Sequence, residues 1–220
     1  VQDLGLGESC AVVVLVVVEN HAQVVHDLPG LRIDLQRAPI ACLALRVLLG
    51  VPRHERPWVK RIIDQSEDPG EPGEGFVFVI SRPDNAHNFP RDRKRQAIED
   101  IVRVASELGM KIVVKLHPKE NPDGLYEDMC GRDAYGKGWV YSNLHSFVLG
   151  SKCAFAVTFY SGVAVDMLAL GTPVIERLDL RGLPGFDHSE ALRDEHGEPI
   201  LNYRYWGLVL GASDYSRLKR

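Results

Sequence analysis

One stretch, residues 158–177 (TFYSGVAVDMLALGTPVIER), constrains the fold of this chain more than any other. An apolar run ends in YSG at residues 160–162, a helical pattern follows, and GTP at residues 171–173 precedes a second apolar run. This order predicts a strand, a tight turn, a helix and a second strand. Strands joined through a helix favour a parallel sheet, because a parallel pair needs a long crossover connection.

The alternation of strand and helix signals extends over residues 76–180. Residues 92–108 carry apolar side chains at spacings of three and four, which predicts an amphipathic helix ending at Gly109. Short apolar runs predict strands at residues 76–80, 111–116, 139–141, 153–159 and 174–175. Together these patterns predict an α/β fold, with a Rossmann-like parallel sheet and helices on both faces.

The segments outside these elements are less regular. Residues 119–138 are polar and rich in turn formers, so we expect one long connection there. Ser142 is a candidate N-cap for a short helix that continues to Leu149. Beyond residue 180 the pattern weakens into loops, and the aromatic and apolar residues 204–210 predict one terminal element that returns to the core.

Residues 66–75, SEDPGEPGEG, mark the clearest boundary, because they combine proline, glycine and acidic residues without a large apolar side chain. We therefore expect a linker here. Residues 1–65 are too few for a complete α/β domain, so we expect a reduced or truncated N-terminal α/β region. It contains a predicted strand at 11–18 and a predicted buried helix at 40–49. Residues 76–220 form the predicted Rossmann-like domain.

Charge and composition limit the classes of function. The net charge of −4 shows no basic excess, so we expect no nucleic-acid partner. The longest apolar run, AVVVLVVV, is far shorter than the ~18–20 residues that span a bilayer. The 4 cysteines show no CxxC spacing and the 8 histidines no HExxH or HxH pattern. We therefore expect reduced thiols, a cytoplasmic location and no metal ion.

A basic cluster of three arginines and a lysine within residues 91–95 opens the predicted helix. Positive charge is unfavourable there, since it meets the positive end of the helix dipole. We interpret the cluster as a solvated face. The alternatives are contact with an anionic ligand or with the inner face of the cytoplasmic membrane, so peripheral membrane association stays open.

His117 follows a predicted strand and precedes Pro118, which biases the histidine toward an extended conformation. The imidazole is then expected at the carboxyl edge of the sheet, where α/β proteins bind ligands. Lys115, two residues earlier, belongs to the same strand face. The pair is a candidate phosphate site, with His117 as a donor to a leaving-group oxygen or as a general acid. A histidine bonded to a loop carbonyl and a solvent-facing lysine are the simpler alternatives.

The turn that begins at Tyr160 is a second candidate phosphate site. The Ser161 hydroxyl can cap the following helix, and Gly162 allows an anionic group to approach the backbone. Asp166, one helical turn later, could bind a ribose or sugar hydroxyl or orient a neighbouring donor. An ordinary strand–helix turn and a carboxylate favoured in the first turns of a helix explain the same residues without a ligand.

Two further strand ends reach the same predicted edge. Ser81 and Arg82 follow the strand at 76–80, and Glu176 ends the run at 174–175. We expect Ser81 and Arg82 to touch a ligand and Glu176 to accept hydrogen bonds from ribose hydroxyls. A bare turn and an exposed carboxylate at a strand end are the plainer alternatives.

Together these motifs resemble the C-terminal, nucleotide-binding half of GT-B-fold transferases, and most closely the CDP-glycerol glycerophosphotransferases and capsule polysaccharide transferases of bacteria. Those families have a strand ending in Lys-x-His-Pro, as at residues 115–118 here. They also have a Tyr-Ser-Ser/Gly turn, an acid four residues later and a helix that ends before Pro-Val, as at residues 160–174. The resemblance covers residues 76–180.

This resemblance implies a transferase that moves a sugar or polyol phosphate from a nucleotide-activated donor to a surface-polysaccharide or lipid-linked acceptor. It implies a CDP- or CMP-linked donor and no cofactor beyond the donor itself. The donor's phosphates and nucleotide are then expected to contact Lys115, His117, Pro118, Tyr160, Ser161, Gly162 and Asp166.

The chain also departs from the family pattern. Thr158-Phe159 stands where the polymerases have Thr-Asp, so an acid is missing. The N-terminal region is much shorter than the GT-B half that usually supplies the catalytic base, so no base is assigned. Two alternatives stay open. One is a nucleotide-sugar 2-epimerase of the same fold, although VAVD at residues 163–166 differs from its usual Gly- and Glu-rich helix start. The other is a non-catalytic nucleotide-binding fragment or subunit.

Overall fold

The computed structural model describes residues 52–66 and 72–219 together with two short strands, β1 (Leu15–Val18) and β2 (His21–Val24). These two strands pair antiparallel. The chain divides into two compact units, Val1–Val59 and Lys60–Arg220. Residues 15–18 of the strand predicted at 11–18 are observed as β1. The helix predicted at 40–49 lies outside the described residues. The linker predicted at 66–75 lies partly outside them, and a domain boundary there stays a prediction.

A six-stranded sheet forms the centre of the second unit. Its strands are β3 (Val77–Ile80), β4 (Ile112–Lys115), β5 (Trp139–Tyr141), β6 (Phe155–Thr158), β7 (Val174–Arg177) and β8 (Leu210–Ala212). All neighbours run parallel, in the order β5-β4-β3-β6-β7-β8. The chain builds one half of the sheet outward from β3 and then crosses back to place β6 on the other side. This is the strand order of a doubly wound Rossmann fold, and it confirms the predicted fold class.

Helices cover both faces of this sheet. The helices of the described residues are α1 (Arg56–Gln65), α2 (Arg91–Glu107), α3 (Leu125–Cys130), α4 (Ser146–Lys152), α5 (Val163–Leu170), α6 (Asn202–Tyr205) and α7 (Tyr215–Leu218). Because side chains alternate across a strand, Val77 and Val79 of β3 share one core with α2, α3 and α7. Phe78 and Ile80 share a second core with α4 and α5. Both faces are therefore buried, as a parallel sheet requires.

The long helix α2 follows the predicted pattern. The side chains that share its buried stripe include Ala97, Ile98, Ile101, Val104 and Ala105. After the helix, Gly109 has φ 63°, in the left-handed region that glycine adopts without steric cost.

Three connections differ from their predictions. The segment 119–138 contains α3 and a 3-10 turn at Arg132–Ala134, because Leu125 and Tyr126 are buried in the core beside α2. In the sequence these two residues are a single apolar pair, which is too short a pattern to predict a helix. The short helix after β5 begins at Ser146 and is capped by His145 rather than Ser142, with Nδ1 of His145 accepting the Phe147 amide at 3.2 Å. The terminal element is divided into α6 and β8.

The basic cluster at residues 91–95 is not one solvated face, so this interpretation was wrong. Lys94 is 1% exposed and pairs with Glu120. Arg93 pairs with Asp179 at 2.6 Å, and Arg91 pairs with two exposed aspartates. Three of the four basic residues at the start of α2 therefore have separate acidic partners, which offset the unfavourable helix dipole, whereas Arg95 is exposed.

Candidate functional site

The strand order brings the predicted segments to one edge of the sheet. Strand β3 lies between β4 and β6, so the loops that follow these three strands begin side by side. Ile80 of β3 pairs in register with Lys115 of β4 and Thr158 of β6. Thr158 in turn pairs with Glu176 of β7. The strand order reverses at this point, and doubly wound sheets bind their ligands at such a point, beyond the carboxyl ends of the strands.

His117 begins a tight turn at the end of β4. The Glu120 amide donates to the His117 carbonyl at 2.8 Å, and Pro118 occupies the second position, where its fixed φ suits a turn. The Lys119 amide donates to Nδ1 of His117 at 3.1 Å. A ring nitrogen that accepts a hydrogen bond carries no proton, so Nε2 carries the proton of the neutral imidazole. The half-buried ring therefore offers an N–H donor.

Lys115 extends from β4 toward the loop before α4. Its Nζ donates to the Leu144 carbonyl at 2.8 Å and to the Asn143 carbonyl at 3.4 Å. Burial lowers the pKa of this ammonium group. Two carbonyl acceptors use two of its three N–H groups, so one N–H is left for a further acceptor.

The turn between β6 and α5 has an unusual backbone at Tyr160. Its φ of 71° lies in the left-handed region, which side chains other than glycine rarely adopt. Within the turn, Thr158 Oγ1 accepts the Ser161 amide at 3.1 Å and Ser161 Oγ accepts the Val163 amide at 3.3 Å. The side-chain oxygens of the turn thus occupy the amides on either side of Gly162. The Gly162 amide lies between them at the N-terminus of the helix, where backbone N–H groups suit an anionic ligand.

Arg82 connects the end of β3 to this turn. Its Nη1 donates to the carbonyls of Phe159 and Tyr160, both at 3.2 Å. These bonds stabilise the Tyr160 backbone in its sparsely populated conformation. Burial lowers the pKa of the guanidinium, and the fields of Tyr160 and Glu176 oppose that shift. The nitrogens Nε and Nη2 remain as donors at the same edge.

Glu176, at the end of β7, is a buried carboxylate. The residue is 1% exposed, and within residues 52–66 and 72–219 its Oε2 has no hydrogen-bond partner. Burial raises its pKa to about 7, while the charges of Arg204 and Arg82 act in the opposite direction. A buried polar atom without a partner costs free energy. This oxygen is therefore suited to accept a hydrogen bond from a hydroxyl or N–H group of a ligand.

Tyr203 of α6 brings the C-terminal region to the same place. Its ring centroid lies 5.2 Å from that of Tyr160. Its hydroxyl lies 4.0 Å from the position that a Cβ atom on Gly162 would occupy. Burial, together with the fields of Tyr160 and Glu176, raises the pKa of the phenol, so the hydroxyl keeps its proton and can donate. The Tyr203 hydroxyl and the Gly162 backbone are therefore neighbours.

Two further predicted site residues lie in the protein interior. Asp166 is 2% exposed and interacts within the protein. Ser81 is also 2% exposed, and its hydroxyl donates to Glu120 Oε1 and accepts from the Tyr126 hydroxyl, both at 2.8 Å. Both side chains are committed to contacts within the protein, and a ligand contact by either one stays a prediction.

Several polar residues near this edge were not predicted. They are Lys94, Glu120, Tyr126, Thr158, Tyr203 and Arg204. One of them had a signal in the sequence, because Lys94 lies on the same three-four stripe as Ala97, Ile98 and Ile101. A charged residue on an apolar helix face indicates a buried partner. The others lie in turns or weakly patterned segments, where the sequence carries no such signal.

Two kinds of feature are absent from the described part of the chain. No group of three or more His, Cys, Asp or Glu side chains could hold a metal ion there. No helix in those same ranges is long and apolar enough to cross a membrane. Cys130 and Cys153 are free thiols, whereas Cys10 and Cys42 lie outside the described residues.

No protein-family model and no curated protein matches the chain, whereas several solved structures do. The UDP-GlcNAc 2-epimerase of Methanocaldococcus jannaschii, in complex with UDP-GlcNAc and UDP, is 13% identical with a TM-score of 0.46, over 78% of this chain and 42% of that one. A putative UDP-N-acetylglucosamine 2-epimerase from Listeria monocytogenes is 13% identical with a TM-score of 0.47, over 74% and 40%. The wall teichoic acid polymerase TagF is 17% identical with a TM-score of 0.33, over 57% and 30%.

The matched structures thus include 2-epimerases of UDP-GlcNAc and a teichoic acid polymerase. The chain spans about two-fifths of the length of the two epimerases and less of TagF. Each of these TM-scores lies below 0.5.

Proposed function

We propose that this edge of the sheet binds a nucleotide-activated donor, and that the chain is the donor-binding part of a transferase. The transferase moves a sugar or polyol phosphate to a surface-polysaccharide acceptor. One observation carries the proposal: the loops after β3, β4 and β6 meet where the strand order reverses, and each brings a hydrogen-bond donor suited to phosphate.

The donor's diphosphate is the group for which these side chains are best suited. The Gly162 amide at the N-terminus of α5 and the neighbouring Tyr203 hydroxyl form one pair of donors. Arg82 and the Nε2–H group of His117 add donors from β3 and β4. Hydrogen bonds of cationic groups to phosphate are short and strong, so Arg82 is expected to contribute most per contact.

The nucleoside is expected to lie toward β7. The free Oε2 of Glu176 is an acceptor, so it pairs with a hydroxyl or N–H donor rather than with phosphate. Tyr160 and Tyr203 offer aromatic surface beside it. The choice of cytidine over uridine rests on the family resemblance alone.

In the proposed reaction, an acceptor hydroxyl attacks the transferred group. The bond between that group and the donor's phosphate oxygen breaks, and the proton of the acceptor hydroxyl is released to solvent. Negative charge then grows on the departing nucleotide. The Nε2–H group of His117 donates to that oxygen, and its contact strengthens as the charge increases. A donor whose hydrogen bond strengthens in the transition state accelerates the chemical step, whereas equal binding of the ground state does not.

Titration calorimetry of the chain with CMP, CDP, UMP, UDP and GDP tests donor binding. We expect micromolar affinity for one base, reduced about 10- to 150-fold in His117→Ala, because a charge-assisted contact contributes roughly 1.5–3 kcal/mol. His196→Ala is the matched control, since this side chain is 60% exposed and is not among the proposed donor contacts, and it should leave affinity unchanged. A folded chain that binds none of the five nucleotides contradicts the proposal.

Product analysis then separates the open alternatives. Turnover of a nucleotide-activated donor that requires an added acceptor supports the transferase. A product formed from UDP-GlcNAc without any acceptor supports the 2-epimerase. Tight nucleotide binding without turnover under either condition supports a non-catalytic nucleotide-binding subunit.

A further inference from the structure

The ion pair between Lys94 and Glu120 is the least expected feature near the candidate site. The two side chains are 2% and 7% exposed, on α2 and on the turn after β4. Burying two charges costs several kcal/mol per ion, and the attraction between them rarely gives a net gain over an apolar pair of similar volume. The helix stripe next to Lys94 is apolar, so packing alone would favour another apolar residue at position 94.

Both oxygens of Glu120 are occupied. Oε1 accepts from Lys94 Nζ and from the Ser81 hydroxyl at 2.8 Å. Oε2 accepts from the backbone amide of His117 at 3.2 Å. The hydroxyl of Tyr126 donates to Ser81 at 2.8 Å and completes the network. Lys94 of α2 and Ser81, directly after β3, thus hold one carboxylate, and Tyr126 of α3 holds Ser81. That carboxylate in turn holds the first residue of the His117 turn.

We infer that Glu120 is a positioning residue, which fixes the turn so that His117 presents its Nε2–H group to the nucleotide; this rests on the proposed function. The turn has two independent attachments to Glu120, the backbone bond from the Glu120 amide to the His117 carbonyl and the side-chain bond from the His117 amide. Together they fix the peptide units on both sides of the His117 α-carbon. The Lys119 amide then reaches Nδ1 and determines which ring nitrogen carries the proton.

The lysine explains why a carboxylate can occupy this place. An unpaired buried carboxylate would take up a proton and lose acceptor capacity, whereas a paired one keeps both oxygens as acceptors. Three donors converge on Glu120, from Lys94, Ser81 and the His117 backbone. A carboxylate can accept all of them, and a protonated acid would itself need an acceptor.

A matched pair of double variants separates positioning from charge. Both Lys94→Met/Glu120→Gln and Lys94→Met/Glu120→Leu remove the ion pair, which avoids an unpaired buried charge. The glutamine side-chain oxygen can still accept the His117 amide, and its NH2 group can donate to Ser81 Oγ. Leucine can do neither. The two variants therefore differ in the hydrogen bonds that hold the turn.

Two measurements report on the pair. The first is hydrogen exchange of the Lys119 amide, which donates to the His117 ring rather than to the Glu120 carboxylate. We expect wild-type protection in the glutamine form and exchange at least about tenfold faster in the leucine form. The second is affinity for CDP and UDP by calorimetry. For the nucleotide that wild type binds, we expect the glutamine form to have an affinity within about threefold of the wild-type value. We expect the leucine form to bind about tenfold more weakly than wild type.

Adding His117→Ala to each variant tests whether Glu120 acts through the histidine. In the glutamine form, the alanine substitution should reduce nucleotide affinity by the same factor as in wild type. In the leucine form it should reduce affinity little, because the ring is already misplaced there. Equal effects in both forms, or equal Lys119 exchange in both, overturn the inference. If wild type binds no nucleotide, the proposed function fails, while the exchange data still decide whether Glu120 holds the turn.

A milder variant keeps the test decisive if the leucine form does not fold. Ser81→Ala removes one hydrogen bond to Glu120 Oε1 and leaves both charges paired. We expect Lys119 exchange to become about two- to fivefold faster, with a weaker affinity for the bound nucleotide. Unchanged exchange and affinity in this variant would contradict the role assigned to Glu120.

Discussion

At the scale of single residues, the candidate site depends on polar groups whose hydrogen-bond partners could not be predicted from the sequence. Ser81 and Glu176 were both predicted as site residues because they lie at strand ends. The hydroxyl of Ser81 has its hydrogen-bond partners within the protein, whereas Oε2 of Glu176 has none among the described residues. Strand ends are predictable from apolar runs, because burial sets where a strand begins and stops. Whether a side chain there finds a partner depends on loops from elsewhere in the chain.

Glu176 makes stability depend on pH. Its pKa is raised from 4.5 to about 7, so between these values the native state binds more protons than the unfolded state and the free energy of unfolding falls as pH rises. At pH 8 the difference between the two pKa values lowers the free energy of unfolding by about 3 kcal/mol. We expect Glu176→Gln to be more stable than wild type by up to this amount at pH 8, and by less than about 1 kcal/mol at pH 5, measured by urea unfolding.

Glu195→Gln is the control for this prediction, since its side chain is 85% exposed. It should show the same stability as wild type at both pH values. A constant difference between Glu176→Gln and wild type across pH would show that the carboxyl of Glu176 titrates normally.

At the scale of secondary-structure elements, a buried ion pair joins the end of β7 to α2. Nε and Nη2 of Arg177 donate to Asp100 Oδ2, at 2.9 and 2.5 Å, and Gln96 donates to Oδ1 at 3.1 Å. The periodicity of α2 predicted which face packs on the sheet, but it did not predict that an aspartate on that helix would face an arginine of a strand far along the chain.

Removing one partner of this pair should cost more than removing both. We expect Arg177→Met to lower the free energy of unfolding by about 3–5 kcal/mol, because it leaves Asp100 buried without a counter-charge. The double variant Arg177→Met/Asp100→Leu should recover most of that loss, since apolar pairs often replace buried ion pairs without penalty. Urea unfolding of the single variants and the double variant measures the coupling.

Lys60→Met serves as the comparison, because its partnership with Asp64 on α1 is exposed and should change stability by less than about 1 kcal/mol. A double variant that is as unstable as Arg177→Met would mean that the pair acts through packing of the arginine stem rather than through charge.

At the scale of the whole molecule, ligand binding at the reversal of strand order should stabilise the unit Lys60–Arg220, since the site is built from loops far apart in sequence. The unfolded chain brings none of them together, so a nucleotide binds only the native state. At a concentration of about 100 times Kd, this adds roughly 2.7 kcal/mol. We expect Tm to rise by roughly 5–10 °C with the tightest-binding nucleotide of the calorimetric panel.

The corresponding nucleoside without phosphate is the control for this thermal shift. It should raise Tm much less at the same concentration, and His117→Ala should reduce the shift given by the nucleotide. An equal shift with the nucleoside would show that the phosphate contacts contribute nothing.

The sequence by itself determined the α/β class, the order of strands and helices from residue 76 to 180 except for α3, and the residues at the strand ends. These follow from local periods of two and 3.6 residues and from turn chemistry, which act over short distances along the chain. Only the tertiary structure decided that β3 lies between β4 and β6, that Tyr203 reaches Gly162, that Lys94 is buried against Glu120 and that Glu176 keeps a free oxygen. Pairing between distant segments depends on how both faces of the sheet are buried at once, and no local pattern carries that information.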